Sequence, residues 1–274
     1  MSESIASSAH KSWRPTPILS ASMALHAAAV AVTAVRPHIW PWTLGAVLAD
    51  HLVLGGIGLW PRSTLLGPNW TRLPDETAGR GTVAITIDDG PDPEITPRML
   101  ALLDEHDVKA TFFCIGERVL RHPELAREIA RRGHAIENHT QRHAHHFSLL
   151  GPRGLAKEIG QAQDSIAQVV GEAPRFFRAP AGLRNPFLDL VLARFGLQLA
   201  SWTRRGFDTV SQDSEIVLDK LTHRLGAGDI LLLHDGHAGR TRAGEPIVFE
   251  VLPRLLTAVA AAKLRPITLR AALP

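Results

Sequence analysis

Two adjacent carboxylates, Asp88 and Asp89, close an apolar run and are followed at once by Gly90-Pro91. Neighbouring side chains of a strand leave on opposite faces, so one carboxylate at such an end can hold a metal ion while the other stays free as a base. Gly90 and Pro91 then turn the chain sharply. Farther on, His139 and His143 stand four residues apart in Glu137-Asn138-His139-Thr140-Gln141-Arg142-His143. That spacing lets two imidazoles converge on one ion if the backbone makes a helical turn. With one carboxylate they form a two-histidine, one-carboxylate set that leaves positions open for water. His145 and His146 follow closely, so other histidine pairs in this cluster stay open at this point. Arg178, after the run Arg175-Phe176-Phe177, can hold a carboxylate ionised and fix its orientation. His234, closing Leu232-Leu233-His234, can protonate a leaving amine.

The elements that must position these groups alternate. Strand-like runs are Val83–Asp88, Ala110–Ile115, Ala135–Asn138, Arg175–Arg178, Gln198–Trp202, Ile230–Leu233 and Pro266–Leu269. Helical spacing separates them, at Thr96–His106, Pro123–Arg132, Gly154–Val170, Pro186–Phe195, Ser214–Leu225 and Val248–Lys263. A repeated β–α pattern over residues 80–274 argues for an α/β fold with a distorted parallel (β/α) barrel, seven-stranded by this count. An open doubly wound sheet is the alternative. In either, chemistry gathers at the carboxyl ends of the strands, where the polar residues above fall.

The first sixty residues read differently. After a tail of residues 1–15, residues 16–60 carry two apolar stretches, 16–35 and Leu44–Trp60, joined by a short turn with two tryptophans. They are expected to form a transmembrane helical hairpin. A cleaved signal peptide and a soluble helical pair are the competing readings. Lys11 and Arg14 precede the first stretch, Arg36 lies between the two, and Arg62 and Arg72 follow the second, a balance that favours both ends, and the domain at 80–274, on the cytoplasmic side of a bacterial inner membrane. Asp50 and His51 interrupt the second stretch and should face each other, the partner helix or the headgroups. Residues 61–79, rich in Pro, Gly and polar side chains, read as a linker to the domain at 80–274.

Composition bounds the partners. A net charge of +3 spread along helix-like segments, with no basic run, argues against nucleic acid and leaves a membrane surface as the better partner. The single cysteine, Cys114, lies in an apolar run and reads as a core residue. Fourteen histidines without a tyrosine direct attention to metal ligation.

Over residues 80–274 the sequence resembles the polysaccharide deacetylases with the NodB homology domain, carbohydrate esterase family 4. The resemblance rests on four ordered motifs: Thr86-Ile87-Asp88-Asp89-Gly90-Pro91, His139-Thr140-Gln141-Arg142-His143, Arg178-Ala179-Pro180-Ala181-Gly182 and Leu232-Leu233-His234. It implies a hydrolase that removes an N-acyl group, N-acetyl first, from an amino sugar or glycan. It implies that Asp89, His139 and His143 bind one divalent ion, usually zinc, which polarises the acyl carbonyl and acidifies water. Asp88 is then the base, Arg178 its positioner, and His234 the acid. The Ala181 N–H is an oxyanion donor, and Leu232 lines the acyl pocket.

Three positions depart where substrate should touch. Alanine stands at 181 where an aromatic is usual. The fourth motif, Asp-x-x-Asp-Trp in the family, reads Arg205-Gly206-Phe207-Asp208-Thr209. Asp208 keeps the place of the carboxylate that orients the acid histidine. Arg205 either pairs with an acidic neighbour such as Asp208, as Arg204 would, or meets an anionic group of the substrate. With the hairpin, the second reading suggests a lipid-phosphate-linked sugar. Removal of a formyl group, another non-peptide amide hydrolysis, and a non-catalytic membrane-bound carbohydrate-binding protein are the rival functions.

Overall fold

The computed structural model describes residues 13–274; Lys11 and most of the expected tail lie outside the described residues. Eight strands are present among them: β1 (Thr82–Asp88), β2 (Thr111–Cys114), β3 (Ala135–Asn138), β4 (Phe176–Phe177), β5 (Gln198–Leu199), β6 (Arg204–Arg205), β7 (Ile230–His234) and β8 (Arg265–Pro266). All pairings are parallel, and seven strands follow the order β5-β4-β3-β2-β1-β7-β6, with β8 beside the start of β1. From β1 to β5 each strand adds on the same side of the last. The winding therefore never reverses there, which puts every crossover on one face and curls the sheet into a half-barrel. A doubly wound sheet would reverse at its middle, so that alternative is excluded.

Ten helices accompany the strands: α1 (Pro17–Val35), α2 (Trp40–Gly58), α3 (Asp75–Ala78), α4 (Thr96–Glu105), α5 (Gly116–Arg121), α6 (Pro123–Arg131), α7 (Pro152–Val170), α8 (Leu188–Phe195), α9 (Ser214–Thr222) and α10 (Val248–Ala261). The edge strand β6 and the short helices α3 and α5 escape the hydrophobic pattern. The edge strand β6 is a pair of arginines, which carries no apolar alternation. Helix α5 is six residues long, too short for a periodic signal. The expected strand Pro266–Leu269 contracts to Arg265–Pro266, because past Ile267 the chain leaves β1 for a short 3-10 turn.

Strand alternation sets the two faces. Val83, Ile85 and Ile87 of β1 pack with Leu231 and Leu233 of β7 under the outer helices, in the largest apolar cluster. Ala84 faces the other way, into a second cluster with Phe113, Trp202, Ile230 and Leu232. By the same period of two, Thr86 and Asp88 continue the inner face of β1, and His234 follows Leu232 on that of β7. The outer face holds the core, and the inner face delivers polar groups to one end. Cys114 is fully buried on the outer side.

Residues 61–73 run along the open side of the half-barrel. Trp70 forms a parallel bridge with Ala200, Ser201 Oγ donates to the Pro61 carbonyl at 2.6 Å, and Arg72 pairs with Asp229 at 2.7 Å. This segment links the chain just past β5 to the residue just before β7, across the open side between β5 and β6, and packs as part of the domain.

Helices α1 and α2 form an antiparallel hairpin around a short turn at Pro37–Ile39. Ser22 Oγ donates to Asp50 at 2.7 Å, the His26 and His51 Nε2 atoms lie 3.2 Å apart, and the Thr33 and Thr43 hydroxyls meet at 2.8 Å. Asp50 and His51 thus face the partner helix, as expected. The end nearest the domain is docked through Leu19, Leu54 and Leu66, while none of residues 23–53 is buried. Gly58 lies against the Arg184 carbonyl, where a Cβ would collide. Among the described residues α1 alone is long and apolar enough to cross a membrane, with a mean hydropathy of 1.9. Asp50 and His51 keep α2 below that mark.

Candidate active site

Asp88 ends β1 in register with Phe113 of β2 and His234 of β7. Arg178 reaches it from beyond β4: its Nη1 donates to Asp88 Oδ1 at 2.6 Å and to Thr86 Oγ1 at 2.8 Å. Its remaining donors go to the carbonyls of Ala200 and Ser201, and the guanidinium lies 4.0 Å from the centre of the Phe113 ring. Arg178 is 1% exposed, so the ion pair is fully desolvated and its loss would leave a buried charge without a partner.

Asp89 sits one residue past the strand with a φ of 79°, a left-handed conformation that swings its carboxyl away from that of Asp88. Its Oδ1 lies 3.3 Å from His139 Nε2 and 3.2 Å from His143 Nε2, and is buried without a hydrogen-bond partner. Metal–ligand bonds of about 2.0–2.1 Å at tetrahedral angles place neighbouring ligand atoms about 3.3 Å apart. The donor set and its spacing therefore fit a divalent ion. His139 Nδ1 meets the Arg178 carbonyl at 2.8 Å, which directs the other nitrogen's lone pair at Asp89. The two histidines converge without the helical turn expected from their spacing. Thr140 and His143 have φ values of 70° and 53°, and Thr140 Oγ1 accepts from the His143 N–H at 2.8 Å.

The electrostatics favour a cation. Burial opposes charge on Asp89, but His139 close to Oδ1 and His237 on Oδ2 hold its carboxyl well below the usual range. Burial also opposes charge on His139, yet Asp88 and Asp89 raise its affinity for a proton. Burial, reinforced by His139, lowers His143 to about 4, so it is a neutral donor.

His234 closes the opposite wall. Asp208 Oδ1 meets its Nδ1 at 2.8 Å, and Asp208 Oδ2 accepts from its backbone N–H at 2.7 Å. Burial pulls the imidazolium down, but Asp208, with Asp88 and Asp89 beyond it, lifts the pKa to about 9.

These groups share a cavity of about 600 Å³ that is also lined by Ala181, Leu232, Arg205, Trp202 and His237. Every residue singled out from the sequence for this site borders it except Arg178 and Asp208, which stand behind Asp88 and His234. Ala181 has a φ of 53° and no aromatic side chain, so the wall there is low. Arg205 has no acidic partner among the described residues; its guanidinium lies 5.4 Å from the Trp202 ring centre and 4.9 Å from that of Phe207. Pairing with Asp208 is thus set aside, because that carboxylate is used by His234. Arg204 pairs instead with Asp229 at 2.5 Å.

Two further groups adjoin Asp89 and Gly90. His237 Nδ1 lies 2.8 Å from Asp89 Oδ2, so the outer oxygen of that carboxylate is held while the inner one faces the imidazoles. Asp235 is fully buried, accepts from Thr96 Oγ1 at 2.5 Å, and is pushed up by burial to about 7. Its carboxyl occupies the space a Cβ at Gly90 would need, and a Cβ at Gly236 would strike the Asp89 carbonyl. The two loops therefore touch where only glycine fits. The surplus histidine in His234-Asp235-Gly236-His237 was the one available signal.

Fold and site together define a hydrolase of carbon–nitrogen bonds outside peptides, and the chain belongs to the polysaccharide deacetylase family, whose profile matches residues 75–200. It is 35% identical over 175 residues to a peptidoglycan-N-acetylglucosamine deacetylase of Bacillus cereus, covering 63% of this chain and 81% of that one. It is 34% identical over 165 residues to a chitooligosaccharide deacetylase of Sinorhizobium fredii, covering 60% and 76%. A solved peptidoglycan N-acetylglucosamine deacetylase, in complex with 4-naphthalen-1-yl-N-oxidanyl-benzamide, superposes with a TM-score of 0.68 at 26% identity, covering 75% and 92%.

Proposed function

We propose that this chain is a divalent-metal-dependent N-deacetylase of an amino sugar, held at a membrane by its α1–α2 hairpin. The observation that carries the reading is the convergence on one cavity of Asp89, His139 and His143 with the Arg178–Asp88 and Asp208–His234 pairs. A divalent ion, zinc first, held by Asp89, His139 and His143 would polarise the amide carbonyl and lower the pKa of a neighbouring water. Asp88 takes the proton of the attacking water. Arg178 occupies Asp88 Oδ1 and leaves Oδ2 free for that role. His234, with Nδ1 engaged by Asp208, presents Nε2 and is protonated at neutral pH. It passes that proton to the sugar nitrogen as the carbon–nitrogen bond breaks. The Ala181 N–H stabilises the oxyanion, and Leu232 bounds the space for the acyl methyl. The products are acetate and a free amine.

The substrate is an N-acetylated glycan carried on a lipid phosphate, presented to a cytoplasmic domain at a bacterial inner membrane. Support comes from Arg205 at the cavity, which has no acidic partner among the described residues, from the apolar α1, and from Arg14, Arg62 and Arg72 flanking the hairpin. Purified full-length protein loaded with zinc should release acetate from both chitooligosaccharides and a lipid-phosphate-linked N-acetylamino sugar, and faster from the second. Arg205→Ala should remove that preference. Equal rates on both, unchanged by Arg205→Ala, would refute the lipid-linked part and leave the deacetylase part standing.

A further inference from the structure

The hairpin contains a second set of donors that the chemistry above does not use. One nitrogen each from His26 and His51 and one carboxylate oxygen of Asp50 lie within 4.8 Å of one another. The two Nε2 atoms are 3.2 Å apart, close to the ligand–ligand edge of a tetrahedral site, about 3.3 Å. His26 Nδ1 meets the Ser22 carbonyl at 2.8 Å, one helical turn back. A carbonyl can only accept, so Nδ1 carries the hydrogen and Nε2 is left with its lone pair aimed at the partner helix. Ser22 supplies a second support through its hydroxyl, which donates to Asp50 Oδ2 at 2.7 Å. One residue thus orients both a histidine of α1 and the aspartate of α2.

The two imidazoles are open to the space beside the domain. His26 and His51 line a cavity of about 910 Å³ whose other wall is the domain's Leu149 and Phe187. The cluster therefore lies where the hairpin leaves the domain rather than at its tip. Two imidazoles and one carboxylate suit a borderline first-row divalent ion such as zinc better than calcium or magnesium.

We infer that His26, His51 and Asp50 form a second divalent-metal site, which staples α1 to α2 at the level of the domain. The inference is independent of the catalytic reading, since it shares no residue with that site.

The test uses full-length protein in detergent, stripped with a chelator and dialysed against zinc, with metal counted per chain. A variant lacking both barrel imidazoles, His139→Ala/His143→Ala, should retain one equivalent, and adding His26→Gln/His51→Gln should remove it. Zinc should also raise the melting temperature of the first variant by several degrees and leave that of the second unmoved. Glutamine keeps hydrogen-bonding groups at both positions, so a seam that is only hydrogen-bonded predicts no difference between the two. No zinc on the first variant, or an equivalent that survives the glutamine changes, would overturn the inference.

Discussion

The half-barrel and the hairpin each gather two histidines and an aspartate, and in each one imidazole is aimed the same way. His139 Nδ1 meets the Arg178 carbonyl and His26 Nδ1 meets that of Ser22, both at 2.8 Å. The surroundings differ. His139 and Asp89 are almost fully buried beside the Arg178–Asp88 and Asp208–His234 pairs and a shaped cavity, whereas the His26 side chain is 39% exposed on a two-helix seam. The same donors can thus serve different ends. In the barrel, desolvation and flanking charge surround the set with further ionisable groups; among the described residues nothing comparable lies beside the hairpin set, for which a tie between helices is the role inferred above.

The comparison predicts that only the barrel set is followed by catalytic losses. Asp88→Asn and His234→Ala should each lower acetate release by about 10²–10⁴-fold while zinc content is retained, as positioned acid–base groups do. No change in the hairpin should approach that. A thermal melt separates the regions next. Arg178→Met leaves Asp88 buried and unpaired and should cost about 3–5 kcal/mol. Asp50→Ala removes one partly exposed hydrogen bond and should cost about 0.5–1.5 kcal/mol in metal-free protein. Comparable costs would mean that the barrel pair is not desolvated as described.

His237 offers a finer probe. Loss of a partner that orients a ligand weakens metal binding by about 10–100-fold, and competition with a coloured chelator should show this for His237→Ala. An unchanged affinity would make the contact with Asp89 incidental.

The smallest expected effect is on pH. With its pKa raised from 6.5 to about 9, His234 contributes stability that is complete below pH 6.5 and is lost as pH rises through about 9. Activity should fall over the same alkaline limb, because the acid loses its proton. Asp208→Asn removes the main support for that proton and should move the limb to lower pH. A limb that stays in place would assign it to another group.

Much of this was legible in the residues. The apolar run 83–87 followed by Asp88-Asp89 fixes a strand and its polar end, because burial demands the first and chemistry tolerates the second only at a rim. Ala135–Asn138 is found with the bounds that its pattern gives. What stayed hidden depends on contacts distant in sequence or on backbone geometry. Strand β6 exists because Arg204 and Arg205 pair with Leu231 and Leu232, not because two arginines favour a strand. The turn at His139–His143 relies on left-handed residues that no helical spacing signals, and the role of His237 appears only once Gly236 lets its loop touch Asp89. The segment at 61–73 reads as a linker by composition, yet its bridge to Ala200 is tertiary.

The central claim is that Asp89, His139 and His143 hold the ion on which deacetylation depends. Its most direct test is mass spectrometry of an N-acetylated chitooligosaccharide incubated with zinc-loaded wild-type protein and with Asp89→Ala. The account predicts that the wild type removes acetyl groups, and that Asp89→Ala removes none and binds one zinc fewer. Acetyl loss that persists in Asp89→Ala, or a fully zinc-loaded wild type that removes acetyl from neither this oligosaccharide nor a lipid-linked one, would contradict it.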